Sequence, residues 1–559
     1  MLHVHRAERA DTLVDALASV LTTPLGDPFA PDLVAVPAKG VERWLAQRLS
    51  HVLGAGTVAD GVCANVTFPR PSEVLDEALA AVAADHAEVL ERWTPDRLVW
   101  PLLEVIDETA HKPWCQQLAR HLGVDVGVDK GRRFAVASRL ARLLDSYGNA
   151  RPQLLTAWAA GEQSDGAGNQ VDADLGWQVE LFRRLRDRVG HPAPAELLPS
   201  LCSAVVEQHA DIPLPERLSV FGATRISAAR LQVLTALAEH RELYLWVPHA
   251  SPALWHAVGA TPPTSRLRRD DDTALRLDNR LLASLSRDVR ELQQLLASTA
   301  PQARHEHHPS PPRPETLLGH LQDDLAQDRV RTDPPPLKTG DRSVQVHACH
   351  GRSRQVEVLR EAVLHLLQQD TTLEPRDVLV MCPDVETFAP LIAASFGQLG
   401  DDVDGHPASR LRVRLADRAL RQTNPLLALL SVLLELGEAR VSASQVLDLT
   451  GTAVVRERFR LDDDDVERLR EWVGTAAVRW GLDASHRGRW QLGKVDQGTW
   501  RWGLDRLLLG AAMEERDEGF SRALPVDDVD SADIDRAGRF AELVERLHAA
   551  IEAMQHART

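Results

Sequence analysis

Apolar and polar residues alternate in blocks along the first 65 positions. Short apolar runs, "MLHVHR" and "DLVAVP", each precede a segment of 3.6-residue period, "DTLVDALASVL" and "VERWLAQRLSHVL". Runs bounded by Pro or Gly and followed by helices predict βαβ units on a parallel sheet. From about 70 to 210 the period is helical throughout, as in "PSEVLDEALAAVAADHAEVLERW", "RRFAVASRLARLLDSYGN" and "WQVELFRRLRDRVG". The stretch "RLSVFGATRISAARLQVLTALAEHRELYLWVP" returns to strand, loop, helix, strand. The helical block therefore reads as an insertion into one sheet domain.

Residues 300–340 carry "HEHHPSPPRPE" and "TDPPPLKTGD", Pro-rich and polar, and are expected to be a linker or exposed loop. A second α/β unit follows, with "SVQVHACH" and "DVLVMCPD" as strands. Beyond about 440 the pattern is helical and Trp-rich and breaks off within a helical period. The expected organisation is a first domain over 1–335, with sheet parts at about 1–69 and 211–260. A second domain over 336–437 and a helical region over 438–559 complete it.

Composition narrows this picture. The 559 residues exceed one core and imply about three or four domains, and 44% hydrophobic with 26% charged residues describes an ordinary globular protein. The charged start and the lack of any apolar stretch of about 18 residues argue against export or membrane insertion, and a cytoplasmic location is expected. Five single cysteines fit neither a disulfide framework nor a Cys-x-x-Cys site. A net charge of −17 opposes a general polyanion coat. It leaves room for a confined basic channel.

The corner "DLVAVPAKGVERW" has the strand–loop–helix layout of a phosphate loop, but its loop is Pro37-Ala38-Lys39-Gly40. The glycine nest, the Gly-Lys pair and the magnesium-binding hydroxyl are missing. Lys39 and Arg43 leave a basic helix start that suits a phosphate group. The later strand "RLSVFGATRI" ends in Gly222-Ala223-Thr224-Arg225, where an ATPase needs carboxylates for magnesium and water.

Other groups have plain readings. Arg132, Arg139 and Arg142 lie near one helix face, and Arg183, Arg184, Arg186 and Arg188 form a second stripe. Both suit a backbone-tracking groove or, equally, a solvated face balanced by acids. "HACH" and "HEHH" lack the second ligand pair of a structural zinc site, so core or linker histidines are expected and no metal is assigned. "DDDD" at 462–465 suits a helix's first turn, and the tryptophans of "VRWGLDASHRGRW" and "GTWRWGL" are expected in a core.

Several stretches together resemble the RecC (gamma) subunit family of the RecBCD enzyme, exodeoxyribonuclease V. They are "DPFAPDLVAVPAKGVERWLAQRLS", "ANVTFPRPSEV", "LLDSYGNARPQLLTAW", "VFGATRISAARLQVLTAL", "CHGRSRQVEVLREAVLHLLQQDTTLEPRDVLVMCPD", "LADRALRQTNPLLALLSVLLEL" and "LREWVGTAAVRWGLD". The resemblance implies an inactivated superfamily 1 helicase fold: α/β, P-loop NTPase-like parallel sheets with large helical insertions. It further implies a non-catalytic subunit that splits duplex ends and channels the 3′ strand, scanning for a Chi-type signal, in double-strand break repair by homologous recombination. Its partners would be a RecB-like helicase–nuclease and a RecD-like helicase in a heterotrimer, together with double-stranded ends and single-stranded DNA. ATP and magnesium would be used by those partners, and no cofactor is expected in this chain.

Scanning positions of the family fall on Pro37, Lys39, Arg43, Arg70, Asp76, Arg142, Leu143 and Glu196, several of them different in type from the family's polar and aromatic residues. Lys39, Arg43, Arg70, Arg139, Arg142 and Leu143 are the expected DNA-binding residues. The resemblance also implies further sequence ending in an inactive nuclease-like domain, so the chain is expected to be a fragment. The rival readings are an active translocase with a degenerate ATP site, an AddB-type subunit with an iron–sulfur cluster, and a protein-binding scaffold. The scattered cysteines oppose the second.

Overall fold

The computed structural model describes residues 1–27, 29–53, 61–83, 86–122, 130–260, 268–333, 335–336, 338–396, 411, 413–415, 424–513, 524–526 and 529–556. Two compact units divide the chain, Met1–Val346 and His347–Thr559.

The first unit is built on one parallel sheet. Its strands are β1 (Leu2–Ala7), β2 (Asp32–Ala35), β3 (Val66–Thr67), β4 (Arg217–Phe221), β5 (Glu242–Pro248) and β6 (Arg304–His307), in the order β3-β2-β4-β5-β1-β6. Helices α1 (Ala10–Leu21) and α2 (Lys39–Leu53) link the first three strands. Alternation along the strands sorts side chains between two faces. Leu218, Val220, Leu243, Leu245 and Val247 enter one core. Val34, Phe221 and Trp246 enter the other, against Leu13, Leu17, Leu45 and Leu49 of α1 and α2.

Between β3 and β4 lies the helical insertion, from α3 (Pro71–Val82) through α4 (Ala87–Arg92), α5 (Pro95–Thr109), α6 (Gln116–Leu122), α7 (Lys130–Ala150), α8 (Pro152–Ala159) and α9 (Gly176–Val189) to α10 (Pro194–Glu207). It has its own core around Phe182, Trp158, Leu102 and Leu185. After β4 come α11 (Ala228–Ala238), then α12 (Pro252–Gly259), α13 (Arg280–Leu285) and α14 (Arg287–Thr299). Helices α3, α10, α11 and α14 cover the face opposite α1 and α2, giving three layers.

Two expectations change here. Residues 300–340 are not simply a linker, because Arg304–His307 forms the edge strand β6 beside β1 and Leu317–Ala326 forms helix α15. An edge strand needs only one backbone partner and tolerates polar side chains, which explains why composition misled. The strands expected in "SVQVHACH" and "DVLVMCPD" are absent among the described residues. Val346, Leu379 and Met381 are exposed there, and His347 and Cys349 share no strand face. Apolar β-type runs become strands only when another strand supplies the ladder.

The second unit therefore consists of helices among its described residues. Arg352–Gln369 (α16) and Val385–Phe396 (α17) make a small core through Val356, Ile392 and Phe396. A larger core gathers Trp472, Trp500, Phe540, Val544 and Leu436. Of the tryptophans expected in a core, Trp500 lies in it, while Trp480, Trp490 and Trp502 are half-buried outside it, with Arg440 over Trp480 and Trp490, Arg487 over Trp480 and Arg506 over Trp502. Asp462 caps the helix Asp463–Thr475 by accepting from Asp465 N at 2.7 Å, and Asp465 is buried between Arg536 and Arg539. "DDDD" is a cap and an ion-pair anchor.

One buried ion pair locks the amino-terminal end of the sheet. Arg217 Nε donates to Asp32 Oδ1 at 2.8 Å, and its Nη1 donates to the carbonyls of Val20 and Thr23, both at 2.8 Å. One guanidinium thus joins β4, β2 and the end of α1. Arg217→Met should destabilise this unit by about 3–5 kcal/mol, because Asp32 is left desolvated and unpaired. Asp32→Leu/Arg217→Met should recover most of the loss. Hydrogen exchange over 32–35 and 217–221 reads the effect directly.

Candidate nucleic-acid interface

In a parallel sheet every strand ends on the same edge, and ligands gather there. The tails of β2, β3 and β4 are neighbours on this edge. Val36 N donates to Pro69 O at 2.9 Å, which places the residue before Arg70 against the corner that carries Lys39. Gly222, just after β4, has φ +78°, and a Cβ there would lie 4.0 Å from Pro37 Cδ. Only glycine adopts that backbone without strain, so the tail of β4 turns closely over Pro37. Lys39 opens α2, Arg43 lies one turn on, and Arg70 is the residue before α3.

Lys39, Arg43, Arg70 and Arg225 are all exposed, and none makes an ion pair with another described residue. Arg225 was overlooked as a basic group in the sequence. Its signal was position alone, at the carboxyl end of a predicted strand. No carboxylate follows β4, where the chain reads Gly222-Ala223-Thr224-Arg225.

The insertion contributes a second set. Arg139, Arg142 and Leu143 are exposed on α7, and Arg142 Nη2 donates to Ser138 Oγ at 2.9 Å. The side chain of Arg132 lies outside the described residues. Helices α3 and α7 both pack on α11, whose Arg230 interacts with Asp76 of α3 and Asp145 of α7. Burial pushes both carboxyls above the ordinary range, and Arg230 opposes that shift. Asp76 and the helix carrying Arg142 therefore meet around Arg230, a residue that sequence reading did not single out.

The remaining expected positions divide differently. Glu196 is held in place at the start of α10: it accepts from Ala193 N at 2.7 Å and from Arg186 Nη2 at 2.9 Å. Arg183 and Arg184 pair with Glu180, and Arg188 pairs with Glu104 and Glu108. The second arginine stripe is therefore a balanced, solvated face, and only the stripe on α7 remains available for phosphates.

At the far side of the edge, His249 follows β5 and is buried, with Nδ1 accepting from Ser251 N at 3.3 Å and the ring edge-on to Trp255. Burial, reinforced by the nearby Arg6 cation and opposed by Glu8, pushes its pKa down to about 3.

This is a parallel α/β scaffold of nucleotide-hydrolase layout whose strand ends carry cations in place of phosphate-loop and magnesium-binding groups. Comparison with known proteins identifies its lineage. Residues 2–328 match the model of the RecC N-terminal domain, and residues 423–559 match that of the RecBCD enzyme subunit RecC fourth domain. The chain is 47% identical over 568 residues to RecBCD enzyme subunit RecC of Mycobacterium tuberculosis (strain ATCC 25618 / H37Rv), covering 100% of this chain and 50% of that protein. It is 46% identical over 576 residues to the subunit of Mycolicibacterium smegmatis, with 100% and 50% covered, and 27% identical over 594 residues to that of Escherichia coli K12, with 98% and 51% covered. The chain belongs to the RecC family and spans about half the length of these relatives. Among the described residues no helix is long and apolar enough to cross a membrane.

The buried histidine gives a pH prediction. Between pH 6.5 and about 3 the unfolded chain holds a proton on His249 that the folded chain lacks, so stability rises with pH across that window. Acidification below 6.5 should therefore cost up to about 1.4 kcal/mol per pH unit from this group. His249→Asn, which keeps an acceptor for Ser251 N, should flatten the decline by about one proton. Denaturation of the full chain at pH 4.5 and 7 measures the difference.

Proposed function

We propose that this chain is a non-catalytic DNA-channel subunit of a RecBCD-type helicase–nuclease, acting in double-strand break repair by homologous recombination. It divides the duplex end and guides the 3′ strand along the carboxyl edge of its sheet toward the nuclease of a RecB-like partner, with a RecD-like helicase as third subunit. ATP and magnesium are used by the partners. Lys39, Arg43, Arg70, Arg139 and Arg142 neutralise phosphates, and Leu143 supplies an apolar contact beside them.

The observation that carries this reading is the convergence of unpaired cations on the strand ends of a sheet that lacks the acids of ATP hydrolysis. A basic edge without ion-pair partners among the described residues, in a chain of net charge −17, offers phosphates a local site from which they can displace counterions. The same absences disfavour an active translocase. At the scanning positions that the resemblance implies, Lys39, Arg43, Arg70 and Arg142 suit phosphate tracking over direct readout of bases.

Replacing Lys39, Arg43 and Arg70 together by Glu should weaken binding of forked DNA by the assembled complex. Loss of three single-strand phosphate contacts should lower the slope of log K against log salt by about 2. Binding and slope that match the unaltered complex would remove this reading. The chain alone should hydrolyse no ATP.

A further inference from the structure

We propose that His5, Glu306 and His308 form a binding site for a divalent transition metal of the zinc class, stapling the edge strand β6 to β1. His5 lies some three hundred positions from Glu306 and His308 in sequence and meets them only through the sheet. His5 and Glu306 are register partners across β1 and β6, and His308, two residues beyond Glu306, returns to the same face. Its place is fixed by its own backbone N–H, which donates to Arg6 O at 2.8 Å.

The donor atoms are already gathered. His5 Nδ1 lies 2.8 Å from His308 Nε2 and 3.7 Å from Glu306 Oε2, and one ligand atom from each residue falls within 4.8 Å of the others. Zinc–nitrogen and zinc–oxygen bonds of about 2.0–2.2 Å in tetrahedral geometry place neighbouring ligands about 3.3–3.5 Å apart. The observed spacings bracket that value, so the imidazoles need to part by about 0.5 Å while the carboxylate moves in. Glu306 can move, since its side chain is 63% exposed, and it opens the site to solvent.

The neighbourhood orients the ligands. The His5 ring stacks on Trp246 at 4.3 Å between centroids and is tilted against Tyr244. Nearby histidines have other partners: His3 meets Glu242 at 2.7 Å and His307 meets Glu8 at 3.0 Å. Two imidazoles and one carboxylate are a donor set suited to zinc, with a fourth position left for water, and are unsuited to magnesium or calcium, which prefer oxygen ligands. The ion would secure a four-residue edge strand that has one neighbour in the sheet.

The test uses the full chain, stripped with chelator and titrated with Zn²⁺ by calorimetry, then loaded with Co²⁺ for its visible spectrum. The expected result is one equivalent bound at this site, with an intense tetrahedral cobalt band. Glu306→Gln and His308→Ala should each weaken that binding by at least about tenfold, the loss seen when even an outer-shell partner is disturbed. Zinc should raise the melting temperature of the parent chain and leave those variants unmoved. His320→Ala, a control away from the trio, should behave as the parent. Absence of stoichiometric zinc, or binding that both variants leave intact, would overturn the site and leave an ordinary His5–His308 hydrogen bond.

Discussion

The arrangement of the first unit follows from the parallel direction of its six strands. Parallel pairing forces each crossover through a helix and delivers every strand end to one edge. That is why the tails of β2, β3 and β4 touch, although Pro37, Arg70 and Gly222 are far apart in sequence. It is also why α2 starts at the edge, adding the positive end of its dipole beside Lys39. A hydrolase fills such an edge with a glycine nest and carboxylates. Here Pro37 stands in the corner and Arg225 after β4, so the geometry persists while the charge is inverted.

The arginines show how burial and pairing divide structural from available charge. Arg217 is buried and spends its donors on Asp32 and two helix-end carbonyls, so it holds layers together. Arg186 clamps the start of α10 through Glu196, a pairing whose partly buried carboxylate is more than a rim contact. Arg183, Arg184 and Arg188 face their own acids in solvent, where water and salt screen each pair and it contributes little to stability. Arg139 and Arg142 have the same residue type on a helix of the same insertion, yet no carboxylate among the described residues pairs with them. The two stripes looked alike in sequence. Only three-dimensional neighbours separate them.

The sheet was legible where apolar runs were bounded and followed by helices: β1, β2, β4 and β5 fall where the pattern put them. The helical insertion was equally legible from its unbroken period. Strand β6 was hidden because "RHEH" has no apolar face, and its β character comes from β1 alone. The opposite error arose at "SVQVHACH" and "DVLVMCPD", where β-type composition lacks a neighbouring strand to complete it among the described residues. For the candidate site, the strand–loop–helix corner pointed to Lys39 and Arg43, whereas Arg70 came only from the resemblance, and the structure brings the residue before it beside that corner. Arg225 and Arg230 were missed because their importance comes from the turn after β4 and the packing of α3 and α7 on α11, which no local pattern encodes.

The charge balance resolves on the same ground. A net charge of −17 would repel a polyanion if it acted uniformly. At physiological salt, exposed charges farther apart than about 8 Å are largely screened from one another. A passing phosphate therefore responds mainly to the groups beside it. Near β2, β3 and β4 those are Lys39, Arg43, Arg70 and Arg225, with Glu42 in the first turn of α2 and Glu73, which accepts from Arg70 N at 2.8 Å, as the neighbouring acids. Around α11 they are Arg142 and an Arg230 that Asp76 and Asp145 partly offset. A negative total is therefore compatible with cations gathered on one edge, because charge acts by its local distribution as well as by its sum.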